Sequence, residues 1–227
     1  MTRAQKLYTI LCGIFISALI VAEITGSKLI QHSVSENWVF ILTMGTIPFP
    51  ITFLVTDLIN EYYGKPGIRF VTLLGMVLIG FVYVILFIDM RIPAAAISPV
   101  SDAQFNAVFG QSSRIILGSV TAYLIGQFID IQIFHTIRKH TGEKWLWLRA
   151  TGSTFVSQLI DSFVVLFIAF SNTLSFEQIM TIGATNYIYK FVIAIILTPV
   201  IYLTHAMIDR YLGVSESHTM IAQSVEK

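Results

Sequence analysis

Apolar residues run along this chain in blocks separated by short polar stretches. A helix needs about 20 mostly apolar residues to cross the hydrocarbon core of a bilayer. Six such blocks stand near 7–30, 37–63, 68–90, 112–135, 147–171 and 179–209. The pattern predicts an all-α integral membrane protein of six transmembrane helices, with residues 1–214 as one domain and 215–227 as a polar, frayed tail. Pro48-Phe49-Pro50 breaks the second block, because proline removes a backbone donor and disfavours a helical residue before it. A kink, a re-entrant loop or a short hairpin would each satisfy that break, and irregular backbone at membrane depth is tolerated only inside protein or along a cavity. Most links are short. The longest, 91–114, carries Ser101 and Gln104 at capping-box spacing, which predicts a short amphipathic helix presenting Phe105, Val108 and Phe109.

Charge adds an orientation. Ten of the fourteen Lys and Arg lie on one side if both termini are cytoplasmic: Arg3, Lys6, Lys65, Arg69, Arg138, Lys139, Lys144, Arg149, Arg210 and Lys227. Cytoplasmic loops carry such an excess, so both ends are expected inside. Trp145 and Trp147 beside Arg149 fit an interfacial aromatic belt. No small-residue cleavage pattern precedes Glu23, so the first block is read as a retained helix. Three spans followed by three would set the halves in opposite orientations, the layout of inverted-repeat transporters. A composition of 55% apolar and 12% charged residues excludes an ordinary soluble domain. A net charge of +1 without a basic block argues against a nucleic-acid partner. Cys12 is the single cysteine and the histidines form no His-x-x-x-His pair, so neither metal nor cofactor is expected.

Ionisable groups inside the spans ask for partners or a function, since each costs roughly 2.5–3.5 kcal/mol at a helix centre. Measured from Lys65 at about 1.5 Å per residue, Asp57 lies roughly 12 Å deep and Glu61 roughly 6 Å. Asn60 sits about a turn from Asp57, and Glu61 is read as marking the inner helix end. The fourth and fifth spans repeat one device, Gln127-x-x-Asp130 and Gln158-x-x-Asp161, whose spacing points amide and carboxylate to one helix side. By the same rise Asp130 is roughly 12 Å deep and Asp161 roughly 18 Å. Hydrogen-bonded helix glue is the plain alternative for both. Lys190 needs an acid, which Asp161, Asp57 or Asp130 could supply. Phe53, Asn186 and Tyr187 complete the candidate substrate-binding set, and Arg114, Glu23, Asn60 and Glu61 are assigned gating or structural roles. Ala18, Ala22 and Gly26, spaced by four, let another helix approach closely, either inside the fold or as a docking surface. Acids, amides and nearby aromatics suit a polar, planar or cationic solute, since a carboxylate accepts two parallel hydrogen bonds and a ring offers a stacking face.

Three stretches, "FPITFLVTDLINEYYGK", "VFGQSSRIILGSVTAYLIGQFIDIQIFHTIR" and "STFVSQLIDSFVVLFIAF", together resemble the queuosine precursor transporter family, also called vitamin uptake transporters. The resemblance runs from the first span to the sixth. It implies a six-helix, multi-pass protein of the bacterial inner membrane that imports 7-cyano- or 7-aminomethyl-7-deazaguanine for tRNA queuosine modification. It places weight on Asp57, Arg114, Gln127, Asp130, Asp161 and Lys190. Glu23 departs from it, where Asn is expected.

The leading expectation is therefore an importer of a 7-deazaguanine base and not an enzyme. No Gly-x-x-x-x-Gly-Lys-Ser/Thr loop is present, so the chain itself is no ATP-driven motor. One alternative is a substrate-binding subunit of an energy-coupling-factor type vitamin transporter, docking through the Ala18, Ala22 and Gly26 face. A remote one is an intramembrane enzyme working through paired carboxylates. Membrane lipid is the surrounding partner, and the sequence leaves open a homo-oligomer or a separate energising subunit.

Overall fold

The computed structural model describes residues 1–26, 28–35, 38–110, 113–141, 145–172 and 174–226. Seven α-helices carry the architecture among them: α1 (Arg3–Thr25), α2 (Phe49–Asp89), α3 (Asp102–Phe109), α4 (Ser113–Thr141), α5 (Leu146–Phe170), α6 (Phe176–Leu212) and α7 (Val214–Glu226). Among the described residues, four helical segments are long and apolar enough to cross a membrane: Arg3–Thr25, Met44–Asp89, Leu146–Ile168 and Phe176–Leu212. Lys144 and Lys227, two of the cations behind the expected orientation, lie outside the described residues.

One part of the all-α expectation needs correction. Leu29–Ser35 (β1) and Trp38–Thr43 (β2) pair antiparallel, with Leu29 opposite Thr43 and Ile30 opposite Leu42. The run "WVFILT" is aromatic and β-branched, which suits a strand, and the second block is a helix only from Phe49 onward. Pro48 caps α2 and Pro50 lies in its first turn, where the absent N–H would have had no helical partner. The two prolines therefore start a helix instead of breaking one.

A 3-10 turn at Met44–Thr46 joins the hairpin to α2 and packs on α1. A Cβ on Gly45 would stand 2.5 Å from the Ala22 carbonyl oxygen and 3.3 Å from the Gly26 Cα. The small-residue face of α1 is thus used by the chain's own backbone at Ala22 and Gly26. Gly45→Ala is expected to cost about 1–3 kcal/mol by overpacking, read as a lower melting temperature of the detergent-solubilised protein. An unchanged melting temperature would show that this contact yields freely.

Gly64, at φ 66° and ψ −168°, divides α2 into two arms. Before it, the chain runs from Gly45, beside Ala22, to Tyr63, whose hydroxyl donates to the Ala4 carbonyl at 2.7 Å. After it, the Tyr8 hydroxyl donates to the Gly67 carbonyl at 2.7 Å, and Gly75 meets Phe15 and Leu19. The arms therefore run in opposite directions along α1. Pro66 begins the second arm, where a missing donor costs little.

α4 and α5 form the most extensive helix pair, and α6 packs on α5. Gly126 permits the first approach, since its Cβ would already touch Asp161 at 3.3 Å. The core, with Phe15, Ile59, Val71, Ile131 and Phe134 fully buried, lies among α1, α2 and α4. α3 has the expected capping box, with the Ser101 hydroxyl accepting from the Gln104 N–H, and buries no residue. The tail expectation also needs correction: 214–226 is helical, and Ser217, Ile221 and Ser224 are buried against the bundle. Ile221 and the half-buried Met220, with serines on either side, seat it, although its composition reads as solvated.

Candidate functional site

Both chain ends meet at one end of the bundle, where Arg3 donates to the Tyr211 carbonyl and α7 docks. At this terminal end the first arm of α2 brings Glu61 between α4 and α5. Arg149 grips it with two hydrogen bonds, Nε to Oε2 at 2.9 Å and Nη2 to Oε1 at 2.5 Å. Arg138 stands 3.8 Å from the same carboxylate and donates to the backbone carbonyls of Asn60, Glu61 and Ile221. Both arginines are 1% exposed, so the positions read as surface markers are interior. Planar guanidinium suits this fork geometry, which an ammonium would not reproduce.

Toward the hairpin end the bundle opens into a cavity of about 190 Å³. Glu23, Tyr123, Asp161, Ser162, Asn186 and Lys190 give it polar walls, while Leu19, Phe49, Val165, Leu166 and Phe170 give it apolar ones. Lys190 reaches across from α6 to bind Asp161 Oδ2 at 2.5 Å and lies 4.5 Å above the Phe49 ring. The cation is thereby neutralised and also faces an aromatic quadrupole. No described residue donates to Asp161 Oδ1. Glu23 accepts from the Ser119 hydroxyl at 2.6 and 2.7 Å.

A narrower recess continues inward, sharing Phe49, Thr52, Tyr123 and Asp161 with the cavity and adding Phe53, Gln127 and Gln158. Beyond it, Asp57 and Phe53 line a small pocket against Ala150, Thr154 and Thr198. Several polar atoms buried along this line have no partner among the described residues: Asn186 Oδ1, Ser162 Oγ, Tyr123 Oη, Gln127 Nε2 and Gln158 Oε1. Buried polar groups are normally bonded, so a cluster of exceptions around one cavity calls for a ligand-based explanation.

Of the sequence candidates, the cavity and recess collect Asp161, Lys190, Asn186, Phe53, Gln127, Gln158 and Glu23. Asp57 lies deeper in the adjoining pocket. Asp130 accepts from the Ser157 hydroxyl at 3.1 Å, an α4–α5 link. Asn60 is fully buried with neither side-chain polar atom bonded among the described residues, and Glu61 is locked to the arginines. Tyr187 belongs to an aromatic cluster with Phe155 and Phe191, ring centroids 5.6 and 6.3 Å away, and is not among the residues lining the cavity. Arg114 stands in the first turn of α4, and its side chain lies outside the described residues. Sequence reasoning missed Arg138, Arg149, Ser119 and Ser162. A signal existed for one of them, because Arg149, Ser153, Ser157 and Asp161 recur every four residues and mark the polar face of α5.

Comparison with known proteins agrees with this picture. The family model described as "Putative vitamin uptake transporter" matches residues 43–204, most of the chain and the cavity wall apart from its α1 residues and Gly26. The chain belongs to this family. A protein of Bacillus subtilis (strain 168) named "Probable queuosine precursor transporter" is 32% identical over 168 residues, 73% of this chain and 72% of the relative. The "Queuosine precursor transporter" of Escherichia coli (strain K12) is 29% identical over 191 residues, 81% of this chain and 82% of the relative. A protein of Haemophilus influenzae, also named "Probable queuosine precursor transporter", is 29% identical over 177 residues, 75% of this chain and 71% of the relative. No solved structure matches the chain.

Proposed function

We propose that this chain imports a queuosine precursor, a 7-deazaguanine base, across the bacterial inner membrane. It does so as six crossings with both termini cytoplasmic, the two arms of α2 counting separately. The observation that carries the reading is the cavity near the hairpin end, where amide and hydroxyl groups without partners among the described residues stand with the Asp161 carboxylate beside apolar walls. A guanine-like edge offers adjacent donors and acceptors that carboxylate and amide groups can pair with. In this reading Asp161, Gln127, Gln158 and Asn186 read the edge, and Phe49 and Phe53 pack on the ring. Asp57 and Asp130 continue the polar route inward.

The terminal end is closed by Glu61 with Arg138 and Arg149, so the geometry corresponds to a carrier open on one side only. Ala22 and Gly26 are covered by the chain's own Gly45, which favours an autonomous importer over a subunit docked through that face. The test is uptake of labelled 7-aminomethyl- and 7-cyano-7-deazaguanine into liposomes holding only the purified protein. Saturable uptake of either base is expected. Tight binding in detergent without any uptake would refute autonomous import, and neither binding nor uptake would refute the substrate class.

A further inference from the structure

The transport reading leaves the role of α7 unassigned. Gly213, at φ 95°, turns the chain from α6 back beneath the terminal end. From there α7 presents Ser217, Ile221 and Ser224 inward, at spacings of four and three, while Glu216, Thr219 and Gln223 stay exposed. Each inward position has a partner. The Ser217 hydroxyl donates to Asp209, whose carboxylate also accepts from Tyr62 of α2 at 3.0 Å. The Ile221 carbonyl accepts from Arg138 at 2.9 Å. The Ser224 hydroxyl donates to the Glu61 carbonyl at 2.7 Å.

The last two contacts fall on the residues that close the terminal end. The fit is also close at the backbone level, since a Cβ on Gly64 would stand 2.7 Å from the Ser224 carbonyl oxygen. Opening this end requires the first arm of α2 to part from α4 and α5, which separates Glu61 from Arg138 and Arg149. With α7 docked, the Glu61 backbone and the Arg138 guanidinium are tied to a common strap. A helix held by a few hydrogen bonds, the buried Ile221 and the half-buried Met220 can undock without unfolding the bundle, since local openings draw on the least stable elements.

We infer that α7 is a latch on the terminal-end gate: docked, it holds the carrier open toward the hairpin end, and its release permits opening toward the cytoplasm. This rests on the transport reading for its meaning, and the test is chosen so that the two can fail separately. In a Cys12→Ser chain, Ser153→Cys reports terminal-end access, being fully buried one turn from Arg149. Ser162→Cys reports the cavity wall near the hairpin end. Labelling with a membrane-impermeant maleimide, in vesicles of either orientation, needs no substrate.

Removing 214–227 is expected to speed Ser153→Cys labelling about tenfold, and Ser224→Ala about threefold, as befits hydrogen bonds of ordinary net strength. Ser162→Cys labelling should fall in both, because the population shifts between two faces. If both cysteines become more reactive, α7 is a structural strap whose loss loosens the bundle, and the latch is wrong. No change in either overturns it equally. Should the truncated chain fail to fold, Ser224→Ala decides the matter alone.

Discussion

Asp161→Asn is expected to lower uptake of the labelled base by roughly 30-fold, about 2 kcal/mol, the scale of one charge-assisted hydrogen bond. It should also destabilise the protein. Lys190 is 5% exposed, and its ion pair with Asp161 is 2.5 Å long. Removing one partner of a buried pair leaves the other charge uncompensated, at a cost of about 3–5 kcal/mol, whereas removing both is often nearly neutral. Lys190→Met alone should therefore melt well below the wild type. The double variant Asp161→Asn with Lys190→Met should regain most of the melting temperature and none of the uptake. Such a split would separate the counter-ion role of Asp161 from the ligand-reading role proposed for its carboxylate. Recovery of uptake in the double variant would remove Asp161 from the site and leave it a packing residue.

The second large effect belongs to the terminal end. Glu61→Gln keeps the side-chain shape but takes the charge from between two buried arginines, and the expected loss is again about 3–5 kcal/mol. Arg149→Lys keeps the charge and loses the fork of two hydrogen bonds, so it should fall between wild type and Glu61→Gln. Thermal melting in detergent measures both. If Glu61→Gln melts with the wild type, the cluster is not the clasp its geometry describes.

How far the chain was legible follows from what each residue type reveals. The apolar blocks mark helices plainly, because composition alone decides whether a segment can sit in hydrocarbon. The β1–β2 hairpin did not show, since "WVFILT" is as apolar as the helix after it and a short apolar run does not distinguish strand from helix. Pro48 and Pro50 were visible as a boundary, but not which side of them was helical. Lys190 announced a need for an acid. The choice of Asp161 comes from tertiary approach: a Cβ on Gly183 would collide with Phe163 at 2.6 Å, so α6 can lie close against α5 only because that side chain is absent. Arg138 and Arg149 were misread because charge near a span end is ordinarily solvated, and sequence does not say which of several neighbouring cations turns inward. α7 was hidden for the opposite reason. Met220 and Ile221 pack on the core, but the other contacts are serine hydroxyls and backbone carbonyls, and two apolar residues in a polar tail read as solvated.

The Glu61 clasp also orders events during synthesis. Its main partner, Arg149, lies 88 residues further along the chain. At a synthesis rate of about 5–20 residues per second, roughly 4–18 s pass between the appearance of the two. For most of that interval the carboxylate belongs to a helix already apolar enough for the bilayer with neither arginine yet made, since Arg138 itself follows Glu61 by 77 residues. The first arm of α2 must therefore linger at the membrane surface, or share its charge with lipid or insertion machinery, until α5 emerges. Completion of the bundle is thus a late step, with the N-terminal helices held in waiting.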